Sequence, residues 1–380
     1  MSVTTHTLTG NDNVAAVALR AMLSAGPRIN FAPADRPAYD AIIERSSAPD
    51  GVSFEEGRVG GVPGWWARPQ GAPPKSVVLY LHGGGFVLGS AKAYRGFVGQ
   101  IAMRADAPVF IADYALAPEN PFPAAWDDLA SLQEGLVQLG YERIALAGDS
   151  AGGGLALSAL SHRSRASDRI VGIVALSPWI DLALSGASIR DGAASDPILQ
   201  PDGLAQAAEV FLSGASANDP RLDLLHSRFV IKPPVQVHTG EAEILLDDST
   251  RFAEAAEAQA LPCNVNIWDG MFHVFPTAFQ MFEASAEALD QVGAFLKGVL
   301  TPVRKKRVVV LGAAGGTGRA IVGQLHALGH NVVAVVRTPD KAQDLQATLI
   351  EGDASDVAVL ERALARADAV ISGHAGQPLP

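Results

Sequence analysis

The sequence is short of several things, and each shortage removes an option. One cysteine, Cys263, stands among 380 residues, so no disulfide forms within the chain. That suits a reducing compartment, and the cytoplasm is the expected location. Cys263 itself reads as a small buried apolar residue. No apolar run approaches the ~18 residues of a membrane helix; the best, Ile170–Ile180, is closed by Asp181. The opening MSVTTHTLTGNDN has no basic stretch leading into an apolar one, so no secretory signal is expected. Basic residues are outnumbered, 29 to 40. That imbalance argues against a nucleic-acid partner, because phosphates attract cationic surfaces. Internal repeats and low-complexity tracts are absent, and no metal site is expected.

What remains describes a globular chain. Hydrophobic residues make up 48% and charged residues 18%, and the length allows one large or two ordinary domains. Charge is uneven along it: residues 301–380 carry nine Lys/Arg and seven Asp/Glu, against 20 and 33 in residues 1–300. The change falls at Thr301-Pro-Val-Arg-Lys-Lys-Arg307. This run reads as a solvated linker, with a localisation signal the alternative. Two domains are therefore expected, 1–300 and 301–380.

In the first, a helical pattern spans Val14–Leu23, and residues 51–69 alternate like hairpin strands. Short β-branched runs then alternate with helical stretches. Ser76–Leu81, Pro108–Ala112, Arg143–Ala147, Ile170–Leu176, Pro234–His238 and Cys263–Trp268 read as strands. Continuous apolar runs of this length suit a mainly parallel sheet covered on both faces. No strand pattern occurs between Leu182 and Phe229, which reads as an insertion over one end of the sheet. The second pattern has strands at Val308–Leu311, Asn331–Val336, Thr348–Ile350 and Ala369–Ile371. The expected fold class is α/β throughout.

Gly148-Asp-Ser-Ala-Gly152 follows the strand ending at Ala147 and opens an apolar helix. A serine in G-x-S-x-G at a strand-to-helix turn is a nucleophile elbow. The glycines permit a tight, strained turn that holds Oγ clear of the sheet. His82-Gly-Gly-Gly-Phe86 follows the strand ending at Leu81. Its bare N–H groups suit a developing oxyanion, so Gly83 and Gly84, with Ala151, are the expected donors. A phosphate loop would need Gly-Lys-Ser/Thr, which is absent. His82 reads as a brace for the loop, not as a base, and Asp149 as a structural support for the serine.

These stretches resemble the hormone-sensitive-lipase-like carboxylesterases of the α/β-hydrolase fold. Asp113-Tyr-Ala-Leu-Ala-Pro-Glu119, Phe122-Pro-Ala-Ala125 and Ser177-Pro-Trp-Ile-Asp-Leu182 carry the resemblance too, over roughly residues 10–299. It implies an oxyanion hole in the glycine loop and a helical cap built from about 1–47 and 182–229.

In this fold the order is Ser, then Asp or Glu, then His. His273 lies after the last strand, where the resemblance also places the catalytic histidine. The acid should follow Pro234–His238, in Gly240-Glu-Ala-Glu-Ile-Leu-Leu-Asp-Asp248. The family pattern Gly-x-x-Asp-x-Leu-x-Asp puts Glu243 at the acid position, a departure from the commoner aspartate. Asp247, as a triad acid or a helix cap, and Asp269 stay open as rivals. The expected reaction is hydrolysis of small-molecule esters with short- to medium-chain acyl groups, or of lactones. Ile198, Leu204 and Phe211 are candidates for an acyl pocket or for helix packing.

Gly312-Ala-Ala-Gly-Gly-Thr-Gly318 follows a strand and opens a helix. Gly312, Gly315 and Gly318 would admit a dinucleotide pyrophosphate. The spacing resembles extended or atypical short-chain-dehydrogenase-like NAD(P)-binding domains, and Arg337 at the end of the second strand, with Lys341, points to NADP. All five tyrosines precede residue 142, so that family's Tyr-x-x-x-Lys is missing. About four strands make a partial Rossmann-like segment with an exposed edge. An NAD(P)-dependent oxidoreductase or a nucleotide-binding protein is thus the alternative reading. Oligomeric state leaves no mark in the sequence.

Overall fold

The computed structural model describes residues 2–25, 30–191, 196–302 and 305–373. The chain divides into two compact units, Met1–Thr301 and Pro302–Pro380.

The first unit is built on nine strands: β1 (Ser2–His6), β2 (Val52–Val59), β3 (Val62–Pro69), β4 (Ser76–Leu81), β5 (Val109–Ala112), β6 (Arg143–Asp149), β7 (Ile170–Leu176), β8 (Val235–Gly240) and β9 (Cys263–Trp268). They lie in the order β1-β9-β8-β7-β6-β4-β5-β3-β2. Only β2 with β3 and β3 with β5 are antiparallel. Gly60 and Gly61, both at positive φ, turn β2 into β3, the backbone a tight hairpin needs.

Side chains of successive residues go to opposite faces of this sheet. Val77, Leu79 and Leu81 pack with Leu129 and Leu132 of helix Ala124–Gln138 and with Phe252 of helix Leu246–Ala258. Val78 and Tyr80 pack the other way, with Phe97 and Ile101 of helix Arg95–Ala105 and Leu289 and Val292 of helix Glu283–Leu300. Every residue of β4 is buried. The apolar runs are continuous because both faces are covered.

One expectation needs correcting. Residues 2–6, grouped by sequence with a cap segment, form an edge strand of the sheet instead. β1 pairs in parallel with β9, from Ser2 opposite Asn264 to His6 opposite Trp268. His6 stacks on Trp268 with centroids 4.1 Å apart. The open N–H and C=O row of β9 supplies the pairing, so β1 needs no apolar run of its own.

The second unit has four parallel strands, β10 (Arg307–Leu311), β11 (Asn331–Val336), β12 (Thr348–Glu351) and β13 (Ala369–Ser372), ordered β12-β11-β10-β13. Helix Gly316–Ala327 covers one face through Val322, and helix Val357–Leu364 the other through Val359 and Ala363. All four residues of β13 are exposed. This is a Rossmann-like arrangement, with β10 at the point where the strand order reverses. No helix among the described residues is long and apolar enough to cross a membrane.

Candidate active site

Ser150 is the first residue of helix Ser150–Ser158, directly after β6. Its φ is +51°, a left-handed conformation that costs a non-glycine residue of order 1 kcal/mol or more. The turn is tight enough that a Cβ on Gly152 would stand 2.0 Å from the Leu81 carbonyl oxygen. Glycine is the only residue that fits there.

Two loops from distant parts of the chain meet the serine. His273 follows β9, and its Nε2 lies 3.0 Å from Ser150 Oγ. Glu243 follows β8, and its Oε2 lies 2.8 Å from His273 Nδ1. All three residues are buried. The second oxygen of Glu243 accepts from Thr239 Oγ1 at 2.6 Å, Ser177 Oγ at 2.9 Å and the Gly240 amide. A carboxylate so supplied with donors has a fixed position. Burial pulls the His273 pKa down, but the hydrogen bond and charge of Glu243, helped by the charges of Asp196 and Asp149, raise it above the ordinary value.

The rival acids lie elsewhere. Asp247 Oδ2 accepts from the Ser188 amide at 3.0 Å, at the start of helix Ser188–Asp191. Asp269 makes no hydrogen bond to His273; its amide donates to the His6 carbonyl at 2.9 Å.

The first unit is similar to known proteins over most of its length. Residues 78–277 match a family described as alpha/beta hydrolase fold. An esterase of Acinetobacter venetianus is 32% identical over 283 residues, covering 73% of this chain and 93% of that protein. An acetyl-hydrolase of Streptomyces hygroscopicus is 34% identical over 235 residues, 61% of this chain and 78% of that one. Among solved structures, an esterase of the bacterial hormone-sensitive lipase family superposes with a TM-score of 0.70 at 32% identity, covering 77% of this chain and 99% of the other. The chain belongs to this α/β-hydrolase family. It is a carboxylesterase. Residues 312–379 separately match an NAD(P)H-binding family.

The esterase's glycine loop differs from expectation in one residue. The Gly83 amide is not free: it donates to Asp149 Oδ1 at 3.0 Å. Asp149 is buried beside Ser150 and also accepts from Tyr80 at 2.8 Å and Tyr94 at 3.0 Å. Tyr39 in turn lies 2.8 Å from the Tyr94 hydroxyl. Burial pushes the Asp149 pKa up against these hydrogen bonds, and burial with the nearby carboxylate raises all three phenols. Gly83 is therefore an anchor of the loop. Gly84, at φ +112°, lines the cavity with Ser150. Among the described residues, no acceptor meets the amides of Gly84 or Gly85. Ala151 is in the first helical turn, where amides lack an intrahelical acceptor. His82 is a brace: Nδ1 lies 2.8 Å from the Gly83 carbonyl, and the ring stacks on Tyr114.

The cavity in front of Ser150 and His273 holds about 140 Å³. Phe31, Tyr39, Ile42 and Ile43 wall it from the N-terminal side, Ile198 and Leu199 from the insertion. Leu204 and Phe211, the other pocket candidates, are packed in the core, with Phe211 stacked on Phe86 at 3.9 Å.

In the second unit, Gly312 has φ +71°, and a Cβ on Gly318 would stand 2.2 Å from the Gly312 carbonyl oxygen. The loop closes tightly on itself at Gly318. Gly315, Gly316 and Thr317 are exposed. Arg337 is exposed at the end of β11, 4.0 Å from Asp353, and the Lys341 carbonyl accepts from Arg319 at 2.6 Å.

Proposed function

We propose that the chain hydrolyses short- to medium-chain acyl esters, or lactones, through a Ser150–His273–Glu243 triad. The observation that carries this is the continuous path from Glu243 through His273 to Ser150, 2.8 Å and then 3.0 Å long. His273 takes the serine proton as Oγ attacks the ester carbonyl, and later returns it to the leaving alcohol. Glu243 fixes the tautomer and stabilises the imidazolium. Gly84 and Gly85, with Ala151, supply the amides for the oxyanion, each worth ~3–4 kcal/mol in the transition state. Water then cleaves the acyl-enzyme.

The cavity supports the size range. Its volume of about 140 Å³ is close to the ~150 Å³ of an engineered cavity that accepts benzene. A butanoyl-sized acyl group fits this volume. Among the described residues, 30–47, 182–191 and 196–229 act as the cap. Hydrolysis of p-nitrophenyl butyrate that survives Ser150→Ala would overturn the proposal.

A second reading rests on the strand order of the second unit and its self-closing glycine loop. Gly312, Gly315 and Gly318 would hold the pyrophosphate of NAD(P), and Arg337 would meet an NADP 2′-phosphate. Bound nicotinamide would supply hydride-transfer chemistry. Residues 302–380 contain no tyrosine to move a proton beside it.

A further inference from the structure

Asp196 belongs to the insertion, far in sequence from any motif, yet its side chain is 96% removed from solvent. Oδ1 accepts from the Ile198 amide at 2.8 Å and the Leu199 amide at 2.9 Å. Oδ2 accepts from the Ile244 amide at 2.9 Å. One carboxylate therefore joins two segments. Ile198 and Leu199 wall the cavity, and Ile244 is the residue after Glu243.

We infer that Asp196 is a positioning residue of the esterase, which holds the acyl-pocket wall and the Glu243 loop as one piece and adds negative charge beside His273. The inference rests on the triad reading above. Three carboxylates act on the imidazole by charge: Glu243 after β8, Asp196 from the insertion, and Asp149 at the end of β6. Only Glu243 touches it. Asp196 acts through space, stabilising the imidazolium that forms during acylation. It also acts through Ile244, whose amide would otherwise be buried without an acceptor. Burial drives the Asp196 pKa up, and three backbone donors with His273 work against that rise. A buried carboxylate with three amide donors is a costly group to keep for packing alone.

The test compares Asp196→Asn with Asp247→Asn. Both carboxylates tie the insertion to the 243–248 segment, but the largest charges acting on His273 are those of Glu243, Asp196 and Asp149. The measurement is kcat/KM against pH for p-nitrophenyl butyrate, with thermal melting as a check on folding. The acid limb reports the imidazole. In Asp196→Asn it moves to lower pH by about half a unit or more, because a charge that favoured the imidazolium is gone. kcat falls about ten-fold with KM less affected, since the loss is in the transition state. In Asp247→Asn the limb stays in place. Asp196→Glu, which keeps the charge, leaves the limb within about 0.2 units of wild type.

An unmoved limb in Asp196→Asn, or an equal shift in Asp247→Asn, overturns the inference. If Asp196→Asn does not fold, Asp196→Ser is read in its place; failure of both makes the role purely architectural and overturns it too. Residual activity in Ser150→Ala would instead sink the triad, which separates the two failures.

Discussion

Both units place a glycine loop at the carboxyl end of a central parallel strand and start a helix from it. In the first, that loop carries Ser150, and two others converge on it from 93 and 123 residues further on. Every polar atom of Glu243 and Asp149 in that cluster has a donor from another element. In the second, Gly315, Gly316 and Thr317 of the loop are exposed, Arg337 is 80% exposed, and all four residues of β13 are exposed. The same local device is thus enclosed in one place and solvent-exposed in the other. Convergence of distant loops makes the difference, because it excludes water and fixes each dipole before a substrate arrives.

Ser150→Ala tests the enclosed site hardest. Hydrolysis of p-nitrophenyl butyrate should fall by about 10⁶-fold with melting unchanged. Glu243→Gln should cost about 10³- to 10⁴-fold in kcat, by analogy with loss of the orienting acid in serine proteases. Asp247→Asn should stay within about ten-fold, which separates the two acids. Gly84→Ala should lower kcat about 10²-fold; its Cβ would stand 2.3 Å from the Leu88 carbonyl oxygen, at a φ of +112°. An intact rate would remove Gly84 from the oxyanion hole.

The pH profile sharpens the same comparison. His273 must be neutral to accept a proton, and its pKa is raised. Activity should therefore be full at higher pH and drop as pH falls through that raised value. Weakening the carboxylate in Glu243→Gln should carry the drop to lower pH in the residual activity.

The smallest effects belong to the open surface. A chain ending at Thr301 should keep esterase kcat/KM within about two-fold, since no residue of the triad lies beyond it. NADPH added to the full chain should raise the melting of the second unit by about 10–20 °C at about 100-fold excess over Kd. Arg337→Ala should erase any preference over NADH, roughly a ten-fold effect. No response to either nucleotide would leave the second unit without that role.

Much of this was legible in the residues. β4 and β7 begin and end where the apolar runs do, because burial on both faces writes itself as a nearly uninterrupted string. The elbow was legible because strain demands glycine at fixed places. Other features were hidden for physical reasons. β1 is a strand only by virtue of its partner's edge, and Ser2–His6 carries no pattern of its own. The motif around Gly83 locates the loop but does not say which amide is already taken; that depends on Asp149, 66 residues away. Asp196 works on backbone amides, which every residue has, so no side-chain signature announces it.

The pairing of β1 with β9 has a consequence for how the site comes into being. Ser2 meets Asn264 across 262 residues of chain. During synthesis, residues 2–6 must wait, unpaired, while the whole central sheet is made, and they close the edge only after β9 emerges. Contacts of such span carry the largest entropic cost and are commonly late. The strand they close leads straight into the His273 loop. The sheet's rim and the His273 loop therefore hang on the same strand, and whatever frays β1 from β9 loosens the approach to the histidine.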